Sequence, residues 1–330
     1  MESVRFLIVG AGSIAQGRHI PQLLEIPDAE IVGLIDPFMA SIDAVRATFP
    51  QLTQIPAFGD YRDALASVQA DAVVIASPHN QHLEHGLACL DAGLHVLMEK
   101  PFVVGSANAE RLVARASEAD RRLAIAYQRH VAGPYKYLHD LVRGGALGTI
   151  RAICAYQAQN WLTLTAGTWR QDPEISCGGQ LNDSGSHLLD AILWITGLRP
   201  ESVDARIDNR GAAVDIDAAL TVRFEGQALA SIGVVGSASV TFWEDLSING
   251  DKGTALYRNE QVLVAREGER APVAVPAEEL PPSGTLVGDF VDVIRGRVAE
   301  PAAPASCGLA VARLTEAAWR SAELGRPVVL

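Results

Sequence analysis

A short apolar run, Val4–Val9, ends on Gly10-Ala11-Gly12-Ser13-Ile14-Ala15, and a helical pattern follows from about Ser13. Few connections need two glycines and a small residue at those spacings between a strand and a helix. Gly10 permits the tight turn, Gly12 lets a pyrophosphate approach the backbone, and Ala15 lets helix and strand pack closely. The start of the helix then offers N–H groups to phosphate oxygens. The preceding strand and following helix separate this motif from a plain strand–helix turn. The stretch therefore predicts a dinucleotide-binding βαβ unit, with Gly10, Gly12, Ser13 and Ile14 at the cofactor.

Asp36 closes the next apolar run, 31–35. An acidic side chain there accepts hydrogen bonds from ribose hydroxyls and repels a 2′-phosphate. Pro37, Phe38 and Met39 follow, so no adjacent arginine is ready to pair with that phosphate. NAD is expected in preference to NADP. The plain alternative for Asp36 is a turn residue.

Further apolar runs at 71–76, 95–98 and 123–127 alternate with helical patterns, which predicts a parallel sheet covered on both faces. Pro21 is expected to bend or divide the first helix. After about residue 127 the pattern changes. A helix is expected at 134–143, then strands at 149–157, 202–207, 218–224, 228–235, 245–248, 254–257 and 261–265. Helices are expected at 180–195, 286–295 and 308–324. The fold class is α/β. A Rossmann doubly wound domain over 1–127 precedes an α/β domain over 128–330, whose large sheet is mostly antiparallel and open-faced.

The chain's 330 residues suffice for two domains, and its formal net charge of -12 argues against nucleic acid or an anionic membrane as partner. Its four cysteines, Cys89, Cys154, Cys177 and Cys307, form no CxxC pair, which fits a reducing compartment. The apolar run before Gly10 is too short for a signal peptide, and no apolar stretch reaches the length of a membrane span. A cytoplasmic location is expected. His79, His82 and His85 recur at spacing three, yet no acidic or cysteine partner completes a set, so no metal is expected.

Met98-Glu99-Lys100-Pro101 follows the strand at 95–98, at the edge where ligands bind such sheets. Lys100 is one of only three lysines. A desolvated lysine can lower its pKa and donate a proton or polarise an oxygen. On spacing alone, a surface turn lysine is the default.

The chain resembles the Gfo/Idh/MocA family of sugar and inositol dehydrogenases over most of its length. The matching residues begin with the glycine motif. Ser77-Pro78-His79-Asn80-Gln81-His82, His95-Val96-Leu97-Met98-Glu99-Lys100-Pro101 and Gly145-Ala146-Leu147-Gly148 follow. Trp169-Arg170, the stretch from Gly178-Gly179-Gln180 to Asp183-Ser184-Gly185-Ser186-His187, and Gly325-Arg326-Pro327-Val328 complete the set. Glu-Lys-Pro and Asp-xxx-His in this order are specific together. The resemblance implies cofactor contacts at Ser77, Pro78, Asn80, His82, Glu99, Lys100 and Gln128, and at Trp169 and Arg170 as in some members. It also implies a cis Lys100–Pro101 peptide and a homodimer or homotetramer built through the C-terminal sheet. Gln180 stands where the family often has glycine.

The implied activity is hydride transfer between NAD(P) and a hydroxyl or carbonyl carbon of a sugar, inositol or related polyol. Alcohol oxidation removes a hydroxyl proton as the hydride leaves its carbon. With 182–194 helical, Asp183 and His187 share one face about a turn apart. Histidine titrates nearest neutrality, so His187 is the expected general base in oxidation and acid in reduction. Asp183 orients substrate or imidazole, and Lys100 hydrogen-bonds the reacting oxygen. Apart from the resemblance, His187 reads as a satisfied buried histidine. Trp161, Trp169 and Trp243 can stack on sugar C–H faces, with core packing an equal reading for Trp161 and Trp243. No Tyr-xxx-Lys pair of a short-chain dehydrogenase is present. Cofactor-retaining glycoside cleavage and a non-catalytic dinucleotide sensor are the competing functions.

Overall fold

The computed structural model describes residues 3–330 and divides the chain into two compact units. One runs to Gln128 and also takes in Gly284–Gly308; the other holds Arg129–Ser283 and Leu309–Leu330. Residues 284–308, expected in the second domain, therefore belong to the first unit. Apolar packing is the reason. Val287, Phe290 and Val291 of the helix Leu286–Ile294 enter one core with Phe6, Ile8, Leu34 and Val74. An apolar stripe marks a helix as amphipathic without saying which sheet it covers.

The first unit holds β1 (Val4–Val9), β2 (Ala29–Ile35), β3 (Ala57–Phe58), β4 (Ala72–Ile75), β5 (His95–Met98) and β6 (Leu123–Ile125). They lie in the order β3-β2-β1-β4-β5-β6, and every neighbouring pair is parallel. β3, two residues long, carries no periodic signal and was not expected. The order reverses between β1 and β4, so the carboxyl ends of these strands border the crevice where doubly wound sheets bind ligands. Gly10, Asp36, Ser77 and Glu99 all stand one or two residues past a strand. Ahead of Pro21 the first helix widens into a π turn, Ala15–His19, in which Ile20 N–H donates to Ala15 O. The wider turn relieves the crowding of the proline ring against the carbonyl four residues back.

The second unit carries β7 (Ile150–Ala158), β8 (Pro200–Asp208), β9 (Asp217–Phe224), β10 (Leu229–Val235) and β11 (Trp243–Gly250). It continues with β12 (Gly253–Arg258), β13 (Gln261–Arg266), β14 (Val273–Ala274) and β15 (Val328–Val329). Their order is β14-β13-β12-β11-β7-β10-β9-β8-β15, and only β7 and β10 pair in parallel. Burial alternates along the strands: in β9, Ala218, Leu220, Val222 and Phe224 are buried, while Ala219, Thr221 and Arg223 are exposed. One face therefore packs and the other stays open. The helix Gly185–Thr196 lies on the packed face, where a Cβ on Gly185 would meet Val234 Cγ1 at 3.1 Å. The open face carries a groove of about 570 Å³ lined by Cys154, Tyr156, Arg206, Thr221, Ser231 and Arg258, among others. Among the described residues no helix is long and apolar enough to cross a membrane.

The helix expected at 180–195, with 182–194 bearing on the site, begins only at Gly185. Residues 181–184 form turns. The N–H groups of Gly179 and Leu181 are taken by the Asp215 carboxylate, and that of Gln180 by the Asp215 carbonyl, which holds this stretch out of the helix. Asp183 therefore precedes the helix that carries His187 rather than sharing its face.

Candidate active site

In the first unit the glycine loop is shaped by close approach. Gly10 has φ +92°, and a Cβ there would lie 2.5 Å from the carbonyl of Ala76. The turn after β1 thus presses on the turn after β4, and only glycine fits. Around Gly12 the reverse holds: nothing lies within 4 Å of its Cβ position. That open cradle at a helix start fits a dinucleotide pyrophosphate.

Asp36 ties the loop to the end of β2. Its Oδ2 accepts from Ala11 N at 2.9 Å and its Oδ1 from Phe38 N at 2.9 Å. A carboxylate oxygen accepts more than one hydrogen bond, so capacity for ribose hydroxyls remains. Ser13 and Asn80 are exposed, and Gly12, Ile14, Pro78, Lys100 and Gln128 are half-buried. Ser77 Oγ lies 2.9 Å from His85 Nδ1.

His82 is placed differently from its expected role as a cofactor contact. Its ring is wholly buried, with Nε2 2.9 Å from Ser77 O and Nδ1 2.9 and 3.0 Å from the carbonyls of Pro101 and Phe102. Burial lowers its pKa against the pull of those carbonyls. The ring joins the turn after β4 to the Glu-Lys-Pro turn and presents no surface to a ligand.

Glu99 is also buried. Its Oε1 lies 2.8 Å from His19 Nε2, and its Oε2 accepts from Lys100 N at 3.1 Å. Burial alone would raise the carboxyl, but His19 and Lys100 together hold it below its ordinary value. The Lys100–Pro101 peptide is cis. His19 was absent from the sequence-derived site. Its partner lies 80 positions away, and the only local signal is a histidine four residues past Ala15 in the phosphate-binding helix.

In the second unit the buried Asp183 carboxylate is held at one oxygen by two side chains. Trp161 Nε1 donates to Oδ2 at 3.0 Å, and Arg170 Nε lies 3.4 Å from the same oxygen. The Arg170 guanidinium sits over the Trp169 ring, 4.6 Å from its centroid. Trp161 packs with Val214 and Ile216, so it is a core residue that also grips Asp183. Trp243, at the head of β11, is exposed. His187 is half-buried in the first turn of the helix Gly185–Thr196. Gln180 is wholly buried and donates from Nε2 to Gln159 Oε1 at 3.0 Å, so the chain accommodates a side chain at that position.

A second buried cluster was not anticipated. The Glu244 carboxylate accepts from Arg129 Nε at 2.9 Å, from Gln157 Nε2 at 2.9 Å and from the Tyr135 hydroxyl. Burial opposes the Arg129 charge, yet Glu244 and Tyr135 more than offset it and raise the guanidinium pKa.

A doubly wound nucleotide-binding unit and an open-faced sheet unit bearing an Asp-xxx-His stretch define a two-unit α/β protein of dinucleotide-binding type. Residues 4–127 match a family described as "Oxidoreductase family, NAD-binding Rossmann fold", and residues 135–256 match the GFO/IDH/MocA C-terminal domain. The chain belongs to the Gfo/Idh/MocA oxidoreductase family. It is 29% identical over 199 residues to a D-glucoside 3-dehydrogenase of Escherichia coli (strain K12), covering 59% of this chain and 54% of that protein. It is 26% identical over 209 residues to a scyllo-inositol 2-dehydrogenase (NADP(+)) of Bacillus subtilis (strain 168), covering 63% of this chain and 55% of that protein. The chain thus spans little more than half the length of these curated relatives. The WlbA dehydrogenase of Bordetella pertussis, solved with NADH and UDP-GlcNAcA, matches with a TM-score of 0.85 and 26% identity. That match covers 100% of this chain and 99% of the other.

Proposed function

We propose that this chain is an NAD-dependent dehydrogenase that oxidises a secondary hydroxyl of a sugar, inositol or related polyol, or reduces the matching carbonyl. The observation that carries the reading is the Asp183 carboxylate, buried and gripped by Trp161 and Arg170, four residues before the half-buried His187. A held carboxylate four residues before a half-buried histidine suits proton transfer at a hydroxyl. The family and the names of its relatives support the substrate class.

NAD, when bound, supplies the hydride acceptor. Gly10, Gly12, Ser13 and Ile14 would hold its pyrophosphate, and Asp36 its ribose. Asp36 favours NAD over NADP because a 2′-phosphate would meet its charge. Ser77, Pro78, Asn80, Glu99, Gln128, Trp169 and Arg170 complete the cofactor contacts. His187 would take the hydroxyl proton and pass it to solvent while the carbinol hydrogen leaves as hydride for the nicotinamide acceptor, so that the carbinol carbon becomes the carbonyl carbon. Asp183 orients the imidazole or the substrate. Lys100 donates a hydrogen bond to the reacting oxygen and stabilises charge that develops there. Residues 129–330, apart from 284–308, form the substrate unit, and its open sheet face carries the contact of a homodimer or homotetramer.

The test is a panel of probes (D-glucose, a methyl D-glucoside, myo-inositol and scyllo-inositol), each with NAD and NADP and scored by reduced-nicotinamide absorbance. Turnover of at least one probe, faster with NAD, is expected. No turnover with any probe, in a chain that binds NADH, overturns the dehydrogenase reading.

A further inference from the structure

We infer that Asp215 is a positioning residue, whose buried side chain and carbonyl together hold the 179–181 backbone and so place Asp183. This deepens the dehydrogenase reading, and only its kinetic arm rests on that reading. Asp215 stands in the stretch joining β8 to β9. Its Oδ1 accepts from Gly179 N at 2.8 Å and from Trp319 Nε1 at 3.1 Å. Its Oδ2 accepts from Leu181 N at 2.7 Å, and its carbonyl from Gln180 N at 2.8 Å. One residue therefore receives three consecutive backbone N–H groups, the last of them two positions before Asp183. The approach is so close that a Cβ on Gly179 would lie 1.8 Å from Asp215 O.

The neighbours of Asp215 bear on Asp183 through Trp161. Val214 and Ile216 pack against Trp161, whose indole N–H bonds Asp183 Oδ2. The stretch is itself pinned to the end of β10. Gly236 N donates to Ile216 O at 2.9 Å and to Asp217 Oδ1 at 2.9 Å, and Ser237 N donates to Asp217 Oδ1 at 3.1 Å. Asp183 is thus set both through its own backbone and through the tryptophan that grips it, and both constraints originate at 214–216. Trp319 closes the clamp: its ring lies where a Cβ on Gly178 would come within 2.6 Å. Displacing a working group by about an ångström costs about 10²-fold in rate.

Asp215→Asn keeps the shape and puts an amide donor where only acceptors serve. The five tryptophans, Trp161, Trp169, Trp194, Trp243 and Trp319, all lie in the second unit, so their indole N–H resonances report on it alone. In Asp215→Asn, kcat with the best polyol probe falls about 10- to 100-fold while KM for NAD stays within about twofold. The Trp161 indole resonance moves together with that of Trp319. A folded variant with unchanged kcat, or with only the Trp319 signal moved, overturns the inference. Should Asp215→Asn fail to fold, Trp319→Phe carries the test, because it removes one donor and keeps an aromatic ring. It lowers kcat about fivefold and shifts the Trp161 resonance; an unmoved Trp161 signal overturns the inference there. A wild-type chain that oxidises none of the probes defeats the dehydrogenase reading alone, and the Trp161 resonance still decides whether Asp215 places Asp183.

Discussion

The two units place their polar residues by different means. In the first, Gly10, Asp36, Ser77 and Glu99 take their positions from strand order, each one or two residues past a parallel strand. In the second, Asp183 sits in irregular backbone between Gly179 and the helix that starts at Gly185, and its place is set by Trp161, Arg170 and Asp215. Strand ends come with the topology, so the first arrangement follows from strand order, with Gly10 as a position that admits no side chain. The second depends on a few hydrogen bonds between distant residues and loosens when one of them is lost.

The largest expected effect falls on the second unit. Glu244→Gln leaves the Arg129 guanidinium buried without its counter-charge, a loss of about 3–5 kcal/mol. Tryptophan fluorescence follows only this unit, so the denaturation midpoint it reports should fall sharply. An unchanged midpoint would show that the buried ion pair does not brace this unit.

A smaller effect separates the units from the other direction. Gly10→Ala forces a Cβ against the Ala76 carbonyl at a left-handed φ, a strain of about 1–3 kcal/mol borne by the glycine loop. NADH should bind about 5- to 150-fold more weakly. The tryptophan-reported transition should stay where it is. Unaltered NADH affinity would remove the glycine loop from the cofactor site; a shifted tryptophan transition would show that the units do not fail separately.

The same contrast explains what could be read before the structure. The strand-then-glycine pattern, the acid after β2 and the Glu-Lys-Pro turn are local, and local signals survive in sequence order. The destination of the helix Leu286–Ile294 did not, because its stripe of Val287, Phe290 and Val291 suits either sheet. The late start of the helix at Gly185 was equally hidden, since the residue that takes the 179–181 N–H groups lies more than thirty positions downstream. His19 and Glu99 likewise meet across 80 positions. Asp183 and His187 are marked by the family resemblance, and their spacing suggests a shared helix face that the turn at 181–184 replaces. Long-range partners of a buried carboxylate leave no periodic trace.

The division of labour between the units is tested most directly by His187→Ala, with NADH affinity and probe turnover measured on the same preparation. With His187 as the proton-transferring group, turnover falls about 10²- to 10⁴-fold while the NADH dissociation constant stays at its wild-type value. Near-normal turnover in that variant would contradict it.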